Sequence, residues 1–291
     1  MDTPFSDLPF SDLPFSDIVV PLDGSPAAER ALGPALDLAR RTGVPVRLLS
    51  RCFPDESGAV ATYLAKLAAR CGDVTVATTV ALRDSIPDAI LDGLGPDSLV
   101  CMTSHGRGGL ARAIMGSIAE ALLRVLDRPA LVVGPRVTTP AFAGRVVACV
   151  DGSDVSELTL APARAWADLT QEPLWLLEVD RPRDPFDDDL PRDVVEGGRL
   201  ALLGHDVGAD GWDVLHDDHP AAALAAAASD QSNPTGLLVL ANHGRTGWDR
   251  IHQGSVTATV VHHAPVPVLV VPAHARAESE ARHHEPAASA L

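Results

Sequence analysis

The chain has 291 residues, 46% of them hydrophobic, enough for one large globular unit or two ordinary ones. Its formal net charge of −16 disfavours nucleic acid and anionic membranes as general partners, and any anion site in it needs local positive groups. No apolar run approaches the roughly 20 residues of a membrane helix, and no basic stretch followed by an apolar one opens the chain, so a cytoplasmic protein is expected. Cys52, Cys71, Cys101 and Cys149 form no C-x-x-C pair, and buried, unpaired thiols are expected.

Residues 4–18, overlapping an expected extension over 1–16, carry a five-residue tandem repeat, Pro-Phe-Ser-Asp-Leu/Ile, opening at Pro4, Pro9 and Pro14. Prolines at that spacing forbid a helix, and three such units are too short for a solenoid, so a loosely attached, disordered extension is expected. From residue 17 the pattern is regular. A strand over 18–22 ends at Asp23-Gly24-Ser25-Pro26, where serine and proline suit a helix start, and apolar residues at helical spacing follow over 27–41. Strands over 44–50, 74–82 and 99–102 alternate with helices over 57–70 and 86–94. A helix over 117–126 and a strand over 129–133 close the unit, and the alternation predicts a parallel, doubly wound α/β sheet.

The pattern then restarts. Asp151-Gly152-Ser153 repeats Asp23-Gly24-Ser25 at an offset of 128, and Pro220 corresponds to Pro87 at 133. His243-Gly244-Arg245, Gly254-Ser255 and the strand at 267–271 repeat their counterparts at 138. Duplication with two short surface insertions, one in the acidic loop 180–193 and one near 229–235, leaves such offsets. The expected organisation is one domain over 17–137, a second over 144–272, and a disordered tail over 273–291.

The richest stretch runs from Thr103 through His105, Gly106, Arg107 and Gly108 to Gly116-Ser117, between an apolar strand and a helix start. Free N–H groups and the positive end of the dipole make a helix N-terminus an anion site, and glycines let backbone approach a phosphate. Arg107 and Arg112, repeated as Arg245 and Arg250, are the local cations. His105 and His243 read as hydrogen-bonding loop residues, and Ser117 with Glu120 as a capping box that leaves the first helical amides free. In open parallel sheets ligands sit outside the carboxyl ends of strands, so a strand-end aspartate and this loop face one crevice. A carboxylate suits ribose hydroxyls and the loop suits phosphates, which together describe a nucleotide. His216, His219, His262, His263, His283 and His284, and the acidic run Asp184, Asp187, Asp188 and Asp189, complete no recognisable metal-ligand set, so no metal site is expected.

Asp-Gly-Ser after the first strand, Gly-x9-Gly-Ser after the fourth and Pro-x-Leu-Val-Val at the end resemble the universal stress protein family in its tandem form, over nearly all of 17–272. The resemblance implies two five-stranded parallel sheets in the order 3-2-1-4-5, related by a pseudo-twofold and paired through their last strands. It also implies phosphates on a Gly-x2-Gly-x9-Gly-(Ser/Thr) loop, ribose on the aspartate, and adenine at main chain ending the second strand. The positions so implied in the first half are Asp23, Gly24, Arg51, Thr103, His105, Gly106, Arg107, Gly108, Gly116, Ser117 and Ile118. In the second half they are Asp151, Val179, Ala241, Gly244, Arg245, Gly254, Ser255 and Val256. Thr103 and Ala241 replace the first glycine of the pattern, and Trp248 and His252-Gln253 stand where the first loop has Leu110 and Ile114-Met115.

The function so implied is ATP or other adenine-nucleotide binding, with magnesium as an optional companion, in a stress-response module acting through conformation or an unidentified protein partner. The alternatives are a ligand-free scaffold, which the loop substitutions favour, and a slow ATPase, for which no Walker lysine is present. An intramolecular pseudo-dimer, open to pairing with a second copy, completes the expectation.

Overall fold

Strands rich in valine and leucine and buried on both faces, as all but the two edge strands are, demand helices above and below them. In a computed structural model, which describes residues 14–105, 115–137, 142–180, 192–242 and 256–273, they form one ten-stranded sheet. The strands of the first half are β1 (Asp17–Pro21), β2 (Val46–Arg51), β3 (Val76–Ala81), β4 (Ser98–Thr103) and β5 (Ala130–Val133). Those of the second are β6 (Arg145–Val150), β7 (Leu174–Asp180), β8 (Gly211–His216), β9 (Thr235–Asn242) and β10 (Val268–Pro272). The order β3-β2-β1-β4-β5-β10-β9-β6-β7-β8 contains 3-2-1-4-5 twice. All pairings within a half are parallel. The halves meet where β5 and β10 run antiparallel, with Leu269 opposite Leu131.

The helices of the first half are α1 (Pro26–Glu29), α2 (Leu32–Thr42), α3 (Ser57–Ala68), α4 (Ile86–Asp92) and α5 (Ser117–Val125). Those of the second are α6 (Asp154–Glu157), α7 (Leu160–Thr170), α8 (Arg192–Val207), α9 (Pro220–Ala227) and α10 (Val256–His263). The single helix expected over 27–41 is two helices broken at Arg30 and Ala31. Pro34 is the cause, because its ring clashes with the carbonyl four residues back and it has no N–H to give. Pro162 does the same between α6 and α7. Arg30, freed at the break, donates to the carbonyls of Gly134, Pro135 and Val137 at 2.7–3.1 Å and so fastens the chain leaving β5.

One core cluster on each side of the sheet draws residues from both halves. At the centre of one, Trp166 of α7 lies between Phe142 (ring centroids 5.6 Å apart) and Phe15 (6.1 Å). Phe15 belongs to the last unit of the tandem repeat, which the sequence reading assigns to a disordered extension. It is only 3% exposed, and the Ser16 N–H bonds the Asp97 carbonyl at 2.8 Å. Residues 14–16 are therefore part of the fold; their apolar contact outweighs the repeat's low structural propensity. Residues 1–13 and the tail beyond 273 lie outside the described residues.

At the seam, Gly134 packs directly on the Val261 carbonyl of α10, where any β-carbon would clash. The four cysteines are buried and unpaired, and burial pushes the thiols of Cys101 and Cys149 up to about 12.

Candidate functional site: a cleft at the strand ends of the first half

β1 ends at a turn that only certain residues can make. Gly24 has φ +79°, a left-handed conformation that strains any side-chain-bearing residue. Asp23 accepts the Ser25 N–H at 2.9 Å on Oδ1, and Ser25 in turn caps α1 by accepting the Ala28 N–H at 3.1 Å. The carboxylate is thereby oriented at the carboxyl edge of the sheet.

Beside it, β4 ends at Thr103, whose hydroxyl donates to the His105 carbonyl at 2.8 Å. Ser104 is buried, and its Oγ lies 3.0 Å from His105 Nδ1, a loop hydrogen bond of the kind expected for this histidine. The Gly116 N–H donates to the Ser104 carbonyl at 2.8 Å, and a β-carbon at Gly116 would sit 3.1 Å from that oxygen. The two feet of the glycine-rich loop are thus pinned together, and glycine is what allows the approach. The loop itself, including Gly106, Arg107, Gly108 and Arg112, lies outside the described residues.

Ser117 does not cap α5. Gly116 occupies the N-cap position, with φ −74° and ψ 149°, and no side chain among the described residues caps the helix; Glu120 pairs instead with Arg124 at 3.0 Å. The expected capping box is absent because Gly116, held against Ser104, starts the helix one residue early. Among the described residues no side chain accepts from the first amides of α5.

Asp23, Gly24, Arg51, Thr103, His105, Gly116, Ser117 and Ile118 all line one cleft of about 1140 Å³. Arg51 contributes through its place at the end of β2, because its guanidinium is engaged elsewhere. That group donates to the carbonyls of Arg83 (2.6 Å) and Asp84 (3.2 Å) and lies 4.0 Å from the Phe53 ring centroid. Sequence reading missed Phe53, Tyr63, Ile90, Met102 and Met115, the apolar and aromatic side of the same cleft. Tyr63, the only tyrosine in the chain, carried a signal in its rarity; its hydroxyl lies 3.1 Å from Glu29 Oε1.

The second half repeats the turn. Gly152 again has φ +79°, and Asp151 Oδ1 accepts the Ser153 N–H at 3.1 Å and its hydroxyl at 2.6 Å. Val179 lies near the end of β7, Ala241 near the end of β9, and Val256 opens α10. Gly244, Arg245, Gly254 and Ser255, with Trp248, Arg250, His252 and Gln253, lie outside the described residues. Two residues not anticipated here are Glu178 and Arg199: an Arg199 Nη donates to Glu178 Oε2 at 2.5 Å. Burial holds the Glu178 carboxyl above its ordinary range; Arg199 opposes this, and the charges of Asp180 and Asp151 add to it. A lone glutamate inside the apolar strand Leu174–Asp180 was the available signal.

Because β5 and β10 are antiparallel, the strand ends of the two halves open at opposite edges of the sheet. At the seam His105 meets His262 of α10 edge-on, with ring centroids 5.8 Å apart. Among the described residues no helix is long and apolar enough to cross a membrane.

The sequence model of the universal stress protein family matches residues 14–82, 96–134 and 143–272. The chain belongs to this family. A universal stress protein of Mycobacterium tuberculosis is 31% identical over 185 residues, covering 59% of this chain and 61% of that protein. The chain thus spans about three fifths of the length of the first curated relatives it matches. A universal stress protein of Mycolicibacterium smegmatis is 28% identical over 210 residues, covering 68% of this chain and 69% of its own. Among solved structures, a universal stress protein from Archaeoglobus fulgidus superposes with a TM-score of 0.64 at 18% identity, covering 90% of this chain and 98% of that one. A functionally unknown protein from Pseudomonas aeruginosa gives 0.66 at 19%, covering 95% and 100%. These likenesses establish the universal stress fold.

Proposed function

We propose that the cleft in the first half binds an adenine nucleotide, ATP foremost, and that the chain is a cytoplasmic binding module whose conformation or protein partner changes with occupancy, without turnover. The observation that carries this reading is the convergence on one cleft of an oriented carboxylate, Asp23, and the uncapped amino end of α5 at Gly116-Ser117-Ile118. The carboxylate accepts hydrogen bonds from ribose hydroxyls. The free amides and the dipole of the helix suit phosphate in a chain whose overall charge does not. Phe53, Tyr63, Ile90 and Met102 offer an apolar wall for a planar base, and the volume suits a ligand of this size. Magnesium enters with the triphosphate. Hydrolysis would need a base and a metal set against the γ-phosphate, and Asp23 is turned instead toward the Ser25 amide.

Equilibrium dialysis of labelled ATP against the purified chain tests the reading. Retention below millimolar nucleotide is expected, weakened tenfold or more by Asp23→Ala, since a hydrogen bond to a charged group contributes about 1.5–3 kcal/mol. No retention at millimolar ATP refutes it. That result would favour a ligand-free scaffold, the reading suggested by Thr103, whose hydroxyl is turned back onto the His105 carbonyl. Multiple turnovers of phosphate release, abolished by Asp23→Ala, would instead make the cleft catalytic.

A further inference from the structure

We infer that the second half is closed to nucleotide by an internal ion pair, Arg199–Glu178, so that the chain binds one nucleotide rather than two. This rests on the first-half reading and concerns what the duplication did to the other copy. The halves can be aligned residue by residue around the two clefts. Leu64 of α3 and Leu200 of α8 are both fully buried against their sheets, and the residues before them are Tyr63 and Arg199. Glu29 and Glu157 end the short helices α1 and α6. Tyr63 reaches Glu29 at 3.1 Å, and Arg199 Nη1 lies 3.6 Å from Glu157 Oε1, so the two side chains hold the same place with the same neighbour. Ser50 and Glu178, one residue before the strand-end positions Arg51 and Val179, are both buried.

In the first half this arrangement leaves space. Ser50 is small, Tyr63 stands at the side, and both line the open cleft. In the second half the longer Glu178 is gripped by Arg199 at 2.5 Å. The guanidinium also passes over Gly152, where a β-carbon would lie 3.6–4.0 Å from Nη2, Cζ and Nε. Gly152 adjoins Asp151, so the guanidinium plane spans the gap between the strand-end aspartate and the second strand of that half. In the first half the same gap is where ribose and base are placed. Entry of a nucleotide would have to part the pair and leave Glu178 as a buried carboxylate without its cation. The charges compound the obstruction: among the described residues Arg199 faces both Glu157 and Glu178, and the charges of Asp180 and Asp151 bear on Glu178, an unfavourable setting for a polyphosphate. The pair is a specificity-determining device acting through space and charge, not a ligand contact.

The test is the stoichiometry of labelled ATP on the full chain, with amide hydrogen exchange to locate the bound nucleotide. The wild type is expected to take one nucleotide per chain, slowing exchange at the ends of β1 and β2 and not at those of β6 and β7. Glu178→Ser with Arg199→Tyr, which installs the first-half residues, is expected to raise the count to two and add protection at the ends of β6 and β7. Two nucleotides per wild-type chain, or one protecting β6 and β7, would overturn the inference while leaving adenine-nucleotide binding in place. A folded double variant that still binds one would overturn the assignment of closure to this pair. If that variant does not fold, the wild-type count and its location decide alone. Zero nucleotides on the wild type would remove the first-half reading and this inference together.

Discussion

Phe15→Ala measures how firmly the last repeat unit belongs to the fold. A phenylalanine side chain buries 150–250 Å², which at about 25 cal/mol per Å² amounts to roughly 4–6 kcal/mol as an upper bound. Large-to-small core substitutions of this type cost about 3–5 kcal/mol, depending on how far the site collapses. Phe15 sits at the entry to β1, where the chain can move inward more easily than mid-strand, so a loss of about 3 kcal/mol is expected, at the low end of that range. Its ring is tilted 39° to Trp166, and such pairs couple by about 0.5–1.5 kcal/mol beyond the area they bury. Urea unfolding followed by far-UV circular dichroism gives the single cost, and a double-mutant cycle with Trp166→Leu gives the coupling. A Phe15→Ala loss under 1 kcal/mol at unchanged m, with no coupling to Trp166, would refute the placement of Phe15 in the core.

Gly134→Ala drives a methyl group into the Val261 carbonyl at the seam and is expected to cost at least about 1–3 kcal/mol, read as a lowered urea midpoint; a neutral result would mean the halves are not packed this closely. Glu178 titrates above the ordinary carboxyl value of 4.5, so its contribution to stability is largest in acid below that value and is lost as pH rises through the folded-state value. Glu178→Gln should therefore gain on the wild type as pH rises through this window, and Arg199→Met should push the Glu178 titration, followed by carbon NMR, higher still; the opposite directions would show that burial does not dominate. Thiols near 12 leave roughly one part in ten thousand as thiolate at pH 8, so Cys101 and Cys149 should resist a disulfide reagent in the folded chain and react in urea; fast labelling of either would contradict their burial.

Much of this architecture was legible because it depends on periodicity and repetition. Val19, Val100 and Leu131 lie in short apolar runs between helical patterns, and the same order recurs around Val147, Leu238 and Leu269, so the parallel α/β alternation and the duplication follow from one-dimensional spacing, while the strand order followed from the resemblance to the family. The strand-end turns were legible too, since Asp-Gly-Ser carries its own geometry. What escaped were features set by contact across long sequence separation. Ser117 matches a capping box locally, but Gly116 starts the helix because Ser104, twelve positions earlier, holds it there. Phe15 reads in sequence like any other unit of the repeat, and its burial comes from Trp166, far along the chain, which also packs on Phe142. Arg199 looks like one more charge on an amphipathic helix until Glu178 and Gly152 are placed beneath it.

The antiparallel seam explains why the two halves could diverge. Joining parallel sheets through β5 and β10 turns their strand ends to opposite edges, so each half carries its own strand-end turn. A substitution such as Tyr to Arg in one copy then leaves the other intact. The copies still touch through their last helices. His105, at the foot of the first loop, meets His262 of α10, and Asn242, at the end of β9, donates to the Leu123 carbonyl of α5 at 3.2 Å. Each joins the fourth-strand end of one half to the last helix of the other, one through rings and one through a hydrogen bond. A ligand that reorients His105 must therefore repack the end of α10, beside the point where Gly134 leaves no room for adjustment. On the reading proposed above, occupancy of the first-half cleft would reach the second half through this contact.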